Sequence, residues 1–404
     1  MDRRHFIAGG ATLTAATAFL PARLAAQDKP LKIGIMNDLS GPYSGDQGVG
    51  SKIAADMAIS DWAAKLGVKA QTVIADHQNK PDVGAGLARR WFDTEGVDVI
   101  MDLPNSAVAL AVLAVANEKN KAVIGSGAGS SVLTGKLCSK NFVHWTYDTY
   151  ALGHSLGKAL TGEGAKTWYF VTADYAFGKD LEENCANAVV AAGGKVLGSA
   201  RHPVNTADFS SYLLQAQASG AEVIGFANAG GDLVQSLKQA AEFGLKKQKI
   251  AALILDVTNL PSLGLAAVQN VTVCKGFYWD QTDGTRAFAS RYQAQHPQKA
   301  KPNDMHAGMY ASTLHLLKAL AQIKSGADGV KLIDTMKAIP TDDPLFGKGL
   351  IRADGRHIHT MYMLTTKTPA ESKGDWDWFK VTGVVKPEDA WRPLDKGGCP
   401  YIKV

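Results

Sequence analysis

The chain has 404 residues, more than one compact domain usually holds, so two or more folding units are expected. Hydrophobic residues make up 46% and charged residues 20%, a globular balance that speaks against a disordered chain, and the 41 glycines and 15 prolines follow no repeat. Net charge is +5, of which the first 26 residues carry +2 through Arg3, Arg4 and Arg23 against Asp2; the scattered remainder lacks the basic stripe that nucleic-acid binding requires.

Residues 1–26 read as an export signal. A charged start precedes an apolar run from Phe6 to Leu20, too short to span a bilayer, and small residues follow up to Ala26. Arg3-Arg4 ahead of Phe6-Ile7 resembles a twin-arginine signal. A bacterial periplasm is the expected compartment, with the twin-arginine route as the expected path. The cysteines fit an oxidising compartment. None of Cys138, Cys185, Cys274 and Cys399 has metal-ligand spacing, and four cysteines allow three full pairings. Cys185 falls in a helical pattern and Cys274 in a strand pattern, and both read as core thiols. Cys138 and Cys399 lie in Gly- and Lys-rich loops and are the expected disulfide.

From residue 31 onward apolar runs alternate with helical periodicity. Residues 31–36 read as a strand, 46–66 as a helix, 70–75 as a strand and 83–95 as a helix. Then come a strand at 97–101, a helix at 107–117 and a strand at 122–125. Residues 125–147 look irregular. The pattern restarts with a helix at 150–160 and a strand at 167–172. Helices at 178–192, 209–218 and 232–243 then alternate with strands at 195–201, 222–227, 250–255 and 271–278. Three helices follow, at 286–296, 306–323 and 330–338. Short strands at 349–352, 359–364 and 378–381 end the chain. Two βα-repeating halves imply an α/β fold of two doubly wound parallel-sheet lobes, with a cleft at the carboxyl ends of the strands.

Several motifs compete for that cleft. Gly153-His154-Ser155-Leu156-Gly157 matches the G-x-S-x-G elbow of exported serine hydrolases, which would make Ser155 a nucleophile. The elbow needs a strand before the serine, and Tyr150, Ala151, His154 and Leu156 keep helical spacing instead. Gly125-Ser126-Gly127-Ala128-Gly129-Ser130-Ser131 follows a strand but carries Ser130 where a dinucleotide fingerprint needs glycine. It reads better as a nest of N–H groups and hydroxyls for a carboxylate. Asp102-Leu103-Pro104-Asn105-Ser106 is a second polar loop, with Ser106 expected to cap the next helix. Tyr43, Tyr175, Phe177, Tyr278 and Trp279 sit at strand ends and would wall a site for a small amphiphilic acid. His77, His202, His357 and His359 lack a third ligand, so neither a metal nor a cofactor is expected.

Leu31-Lys32-Ile33-Gly34-Ile35-Met36 with Leu39-Ser40-Gly41-Pro42-Tyr43 resembles the opening of periplasmic solute-binding proteins of the branched-chain amino-acid type. Asp174-Tyr175-Ala176-Phe177-Gly178, Asn205-Thr206-Ala207-Asp208-Phe209 and Leu214-Gln215-Ala216 extend the resemblance over nearly all of the mature chain. It implies a type I fold, two lobes joined by three hinge crossings, with lobe one at 28–147 plus 281–358 and lobe two at 148–280 plus 359–404. It also implies a partner, the permease of an ABC importer, and a monomeric binding protein without enzymatic activity. Tyr43 resembles the family's aromatic cover, and Asn105 and Ser106 its serine loop. Ala128, Gly129 and Ser130 fall on the loop that binds the ligand carboxylate. Phe177 falls where amino-acid binders carry an aromatic. Asn228 or Ala229 stands near a second such tyrosine, a departure, and Asp256 near the acid that pairs an α-ammonium. His144-Trp145-Thr146-Tyr147-Asp148 is similar to importers of aromatic acids. A branched-chain amino acid and an aromatic acid therefore both stand as expected ligands. A sensor docking on a signalling receptor uses the same cleft and is the alternative role.

Overall fold

The computed structural model describes residues 29–245, 248–269 and 271–403; the export segment lies outside the described residues. Five strands near the N-terminus run parallel: β1 (Leu31–Asn37), β2 (Ala70–Asp76), β3 (Val99–Asp102), β4 (Ala122–Gly125) and β5 (Phe142–His144). Their spatial order is β2-β1-β3-β4-β5. β3 and β4 are buried on both faces, which is why Val-Ile-Met and Ala-Val-Ile read as unbroken apolar runs. Helices α1 (Gly48–Trp62), α2 (Pro81–Asp93) and α3 (Ser106–Glu118) alternate with these strands. β5 lies in the stretch expected to be irregular. Its three residues carry too little pattern to show periodicity, yet all three are buried.

A second parallel sheet has the order β7-β6-β8-β9, from β6 (Thr167–Ala173), β7 (Lys195–His202), β8 (Val223–Ala227) and β9 (Lys249–Ala252). It is wrapped by α4 (Thr149–Gly162), α5 (Ala176–Ala191), α6 (Ser210–Ala218) and α7 (Gly230–Glu242). The G-x-S-x-G run lies inside α4, with no strand leading into it. Its glycines serve packing: a Cβ at Gly153 would come within 2.8 Å of the Cys185 nitrogen, and one at Gly157 within 2.8 Å of the Cys185 carbonyl oxygen. Two glycines four apart thus let α5 press onto α4, while Ser155 is buried on the opposite face of α4.

The rest of the chain adds β10 (Thr272–Lys275), β11 (Thr341–Asp343), β12 (Gly347–Ile351), β13 (His357–Ile358), β14 (Met361–Thr366) and β15 (Phe379–Val385). β10, β14 and β15 form an antiparallel sheet, as do β11, β12 and β13. The chain links the two bodies three times: after β5, after β10 and between β13 and β14. Buried Arg356 ties the first and third of these crossings together. Its guanidinium donates to the Tyr147 carbonyl at 2.7 Å and the His357 carbonyl at 3.0 Å, and it lies over the Trp391 ring. The fold is therefore α/β, with two parallel-sheet lobes on a three-segment hinge.

Cys138 and Cys399 are joined by a disulfide with Cα atoms 5.6 Å apart, while Cys185 and Cys274 are free and buried. Arg392 adds a hydrogen bond of 2.9 Å to the Ser131 carbonyl, so the tail folds back against the first lobe. The bridge closes a loop of 261 residues. Crosslinks over long loops restrict the unfolded chain most, and native disulfides typically contribute about 2–4 kcal/mol. The Cys138→Ser/Cys399→Ser double variant is expected to melt several degrees below the parent in a calorimetric scan, with unchanged far-UV circular dichroism.

Candidate functional site

The cleft is built from loops at the ends of the strands. In the first, Asp38 accepts hydrogen bonds from the backbone N–H groups of Gly41 (2.8 Å) and Tyr43 (3.0 Å), which turns the chain after β1. The turn sends Tyr43 across the gap, where its hydroxyl meets that of Tyr175 at 2.6 Å. In the second, Asp102 and Leu103 hold φ of 85° and 62°, an uncommon conformation for residues with a Cβ. The Asp102 carbonyl there receives N–H groups of Ser126 and Gly127. Asn105, not Ser106, caps α3, accepting from the N–H groups of Ala107 and Val108. Ser106 Oγ instead accepts from the N–H groups of Gly129 (3.3 Å) and Ser130 (3.1 Å), binding the second loop to the third.

These loops close on a cavity between the lobes with about 20 Å³ of free space, room for about one water with the lobes together as they are here. Tyr43, Tyr147, Tyr175 and Phe177 supply aromatic walls, with Met305 and Ile254 beside them. Asp46, Gln47, Asp256 and Asn259 supply the polar end. Of the residues expected from sequence, Tyr43, Tyr175, Phe177 and Asp256 line the cavity. Gly129 stands one layer out, where a Cβ would strike the Phe177 ring at 2.6 Å. Ala128 is buried, and its carbonyl meets His144 Nε2 at 2.5 Å.

Other expected residues are engaged elsewhere. Ser130 Oγ donates to Asp180 of α5 at 2.9 Å, and the Ser131 N–H donates to the same carboxylate at 2.6 Å. Ser131 Oγ and Thr149 Oγ1 also reach Asp180. The hydroxyl-rich loop expected to hold a ligand carboxylate thus already holds one from the protein. Asn105 is spent on its cap and on Asn79. Asn228 is buried against His202 and Ser236, outside the cavity lining. Tyr278 packs edge-on to Phe379 in the core of the second lobe. An aromatic at a strand end points to the cleft or to the core, and spacing alone does not separate the two.

Asp256 has a partner that sequence reading missed. Lys275, at the end of β10, donates to Asp256 Oδ1 at 2.5 Å and lies 3.6 Å from Asp304. Burial alone would lower the lysine pKa; the Asp256 and Asp304 charges outweigh it and raise it. Asp46 bridges the lobes, with Oδ1 accepting from Thr258 Oγ1 at 2.9 Å and Asn259 Nδ2 at 2.6 Å. Burial first, and then the Asp256 charge, push the Asp46 carboxyl upward. Asp46 and Gln47 follow Tyr43 within one loop, but their place ahead of an apolar period made them read as the start of a helix. The signal that could have found them is their position just beyond the aromatic cover.

The chain belongs to the periplasmic binding protein family, whose model matches residues 30–375. A periplasmic binding protein of Burkholderia mallei is 43% identical, with a TM-score of 0.89 over 93% of this chain and 99% of that one. A branched-chain amino-acid ABC transporter periplasmic ligand-binding protein of Burkholderia xenovorans is 36% identical, with a TM-score of 0.81 over 92% of this chain and 99% of that one. A Leu/Ile/Val-binding protein homolog of Brucella melitensis is 25% identical over 86% of this chain and 90% of its own length. The family is periplasmic and made of solute-binding proteins, and among the described residues no helix is long and apolar enough to cross a membrane.

Two expectations follow from this geometry. His306 is buried, with Nδ1 accepting from the Asn303 N–H and Nε2 donating to the Gln47 carbonyl; burial lowers its pKa to about 3. Between its ordinary value of about 6.5 and that value, the unfolded chain binds a proton the folded chain refuses. Stability from this group is present above about pH 6.5 and is lost as pH falls toward 3. In His306→Gln the loss of Tm between about pH 6.5 and 4.5 should be shallower than in the parent. The second concerns Gly230, at φ 59°, where a Cβ would sit 2.4 Å from the Pro42 carbonyl oxygen of the other lobe. Gly230→Ala should hold the lobes apart, raising the radius of gyration in small-angle scattering and weakening solute binding by about tenfold or more.

Proposed function

We propose that this protein is the solute-binding component of an ABC import system. As a monomer, without enzymatic activity of its own, it closes two lobes around one small organic solute, of amino-acid or aromatic-acid type, and delivers it to a membrane permease. The observation that carries this reading is the cavity between the lobes, walled by Tyr43, Tyr147, Tyr175 and Phe177 and closed by the Tyr43–Tyr175 contact. Aromatic walls with a few convergent polar groups are the usual makeup of a small-molecule site. Residues 28–147 plus 281–358 act as one lobe, and 148–280 plus 359–404 as the other, with the last dozen residues returning to the first.

Closure would favour the liganded form because the solute contacts both lobes at once, and the permease would read the closed form by population shift. The names of the similar proteins support the transport role and an amino-acid solute, while the aromatic walls keep an aromatic acid as the second class. Ser155, buried within α4, has no place in a hydrolytic mechanism on this geometry.

A ligand screen by thermal shift tests the reading. Mature protein, refolded to remove carried-over solute, is exposed to amino acids, amides and benzoate-type acids. A ligand at about 100 times its Kd stabilises by roughly 2.7 kcal/mol, a visible rise in Tm. Tyr175→Ala should reduce that rise while melting cooperatively. Uptake of the same solute by cells should fall when the gene for this chain or for the permease is deleted. Uptake unchanged in both deletions would sink the transport role and leave a sensor.

A further inference from the structure

Charge does not balance where the lobes meet. The first lobe brings two carboxylates, Asp46 on the loop after β1 and Asp304 at the start of the helix Asp304–Ile323, which packs on α1. The second brings Asp256 and Lys275, already paired at 2.5 Å. Lys275 stands 3.6 Å from Asp304, and no other cation pairs with any of the three acids among the described residues. All four side chains are buried. Closing the lobes therefore brings two further negative charges against a pair that is already neutral, away from water. That is strongly unfavourable unless positive charge enters with them.

Asp46 has a partial remedy in its two neutral donors, Thr258 and Asn259. Asp304 lacks even that. It is 1% exposed, and neither side-chain oxygen has a hydrogen-bond partner of normal geometry among the described residues. Besides Lys275, the groups against it are the Gly276 N–H and the carboxyl of Asp256. Two carboxyls in contact repel as anions, but attract when one carries a proton, because its O–H then donates to the other. Burial, the largest influence, pushes the Asp304 carboxyl up to about 7 against the pull of Lys275, and Asp256 adds to the rise. Burial and then the Asp256 charge push Asp46 up to about 7 as well. The other titratable groups facing this junction are neutral. Burial holds the Tyr147 hydroxyl well above its ordinary value, pushes the Cys274 thiol up to about 12 and lowers His306 to about 3.

We propose that closing the lobes binds a proton at the junction of Asp46, Asp256 and Asp304, so that the protein is a proton-linked clamp that closes more readily in acid than in alkali. This rests on the solute-binding reading, which supplies the opening and closing of the lobes. In the open form the first-lobe acids return to water and to an ordinary value of about 4. In the closed form they stand near 7. Between those values the closed form holds a proton that the open form has released. Closure therefore strengthens as pH falls through 7 and weakens as it rises. One linked proton changes the closed-to-open ratio about tenfold between pH 8 and pH 6.

Small-angle scattering of the ligand-free full chain tests it. The radius of gyration should be smaller at pH 5.5 than at pH 8.5, with a midpoint near 7. Asp46→Asn and Asp304→Asn place a neutral amide where the protonated acid would stand. Each should reduce the pH dependence, and the double variant should stay closed at pH 8.5, the reverse of what losing a structural ion pair does. Thr258→Val is the milder variant should the amides fail to fold. It removes one donor from the ionised form of Asp46 and should move the midpoint to higher pH. A radius unmoved by pH while leucine or benzoate still compacts the chain overturns the proton link and leaves the solute-binding reading standing. A radius unmoved by pH, leucine and benzoate alike overturns both. Compaction on acidification that is the same in the parent, the double variant and Thr258→Val overturns the assignment to these acids.

Discussion

The constraint on which the cleft depends is the burial of Asp46, Asp256, Asp304 and Lys275 at the junction of the two lobes. Removing a carboxylate from water is expensive unless it finds an opposite charge or several donors. One lysine cannot serve three carboxylates, so the remainder must be met by neutral donors, by protonation or by a solute. The protein uses the first two: Thr258 and Asn259 donate to Asp46, and burial raises the Asp46 and Asp304 carboxyls. Each of these solutions requires the lobes to be together, because Asp46 belongs to one and its donors to the other. Opening the cleft would return Asp46 to water and remove the bridge. Closure and the protonation state of this group are therefore linked by geometry.

Part of the backbone strain stands where the lobes meet. Asp102 and Leu103 take left-handed φ at the end of β3, and Gly230 takes one at the start of α7. The strands that carry these loops are buried and regular, so the strain is borne by a rigid frame. At Gly230 the reason is direct: only a residue without Cβ lets the N-terminus of α7 reach the Pro42 carbonyl, where the Gly231 N–H donates at 3.1 Å. The Asp180 contacts to Ser130 and Ser131 form a second junction. These hold charge on the protein's own terms.

How much of this was legible in the sequence depends on how far apart the cooperating residues lie. The parallel sheets were readable because each strand carries its own apolar run and each helix its own period. β5 was missed because three residues hold no period, and 250–255 overran β9 because Leu253, Ile254 and Leu255 are buried without being strand. The cleft aromatics Tyr43, Tyr175 and Phe177 were readable from loops beyond strand ends. Tyr278 met the same criterion and packs into the core, since burial of a ring is equally served by either side. Asn105 and Ser106 exchanged duties: the residue expected to touch a ligand caps the helix, and the expected cap ties two loops together. Local pattern locates such loops but does not assign the hydroxyls within them.

Charge partners were the least legible part, for a physical reason. Asp256 and Lys275 are 19 residues apart on different elements, and Asp180 lies some 50 residues from the loop it fills. Nothing in local propensity encodes those pairings; they follow from the register of β10 and the docking of α5. Yet they decide the chemistry of the site. Without Lys275, Asp256 reads as a free acid awaiting an ammonium, and without Asp180 the Ser130 loop reads as an open anion nest. With both in place, the two charged anchors foreseen for a zwitterion are already engaged within the protein. Which buried polar groups remain unpaired is thus a property of tertiary packing rather than of any single motif.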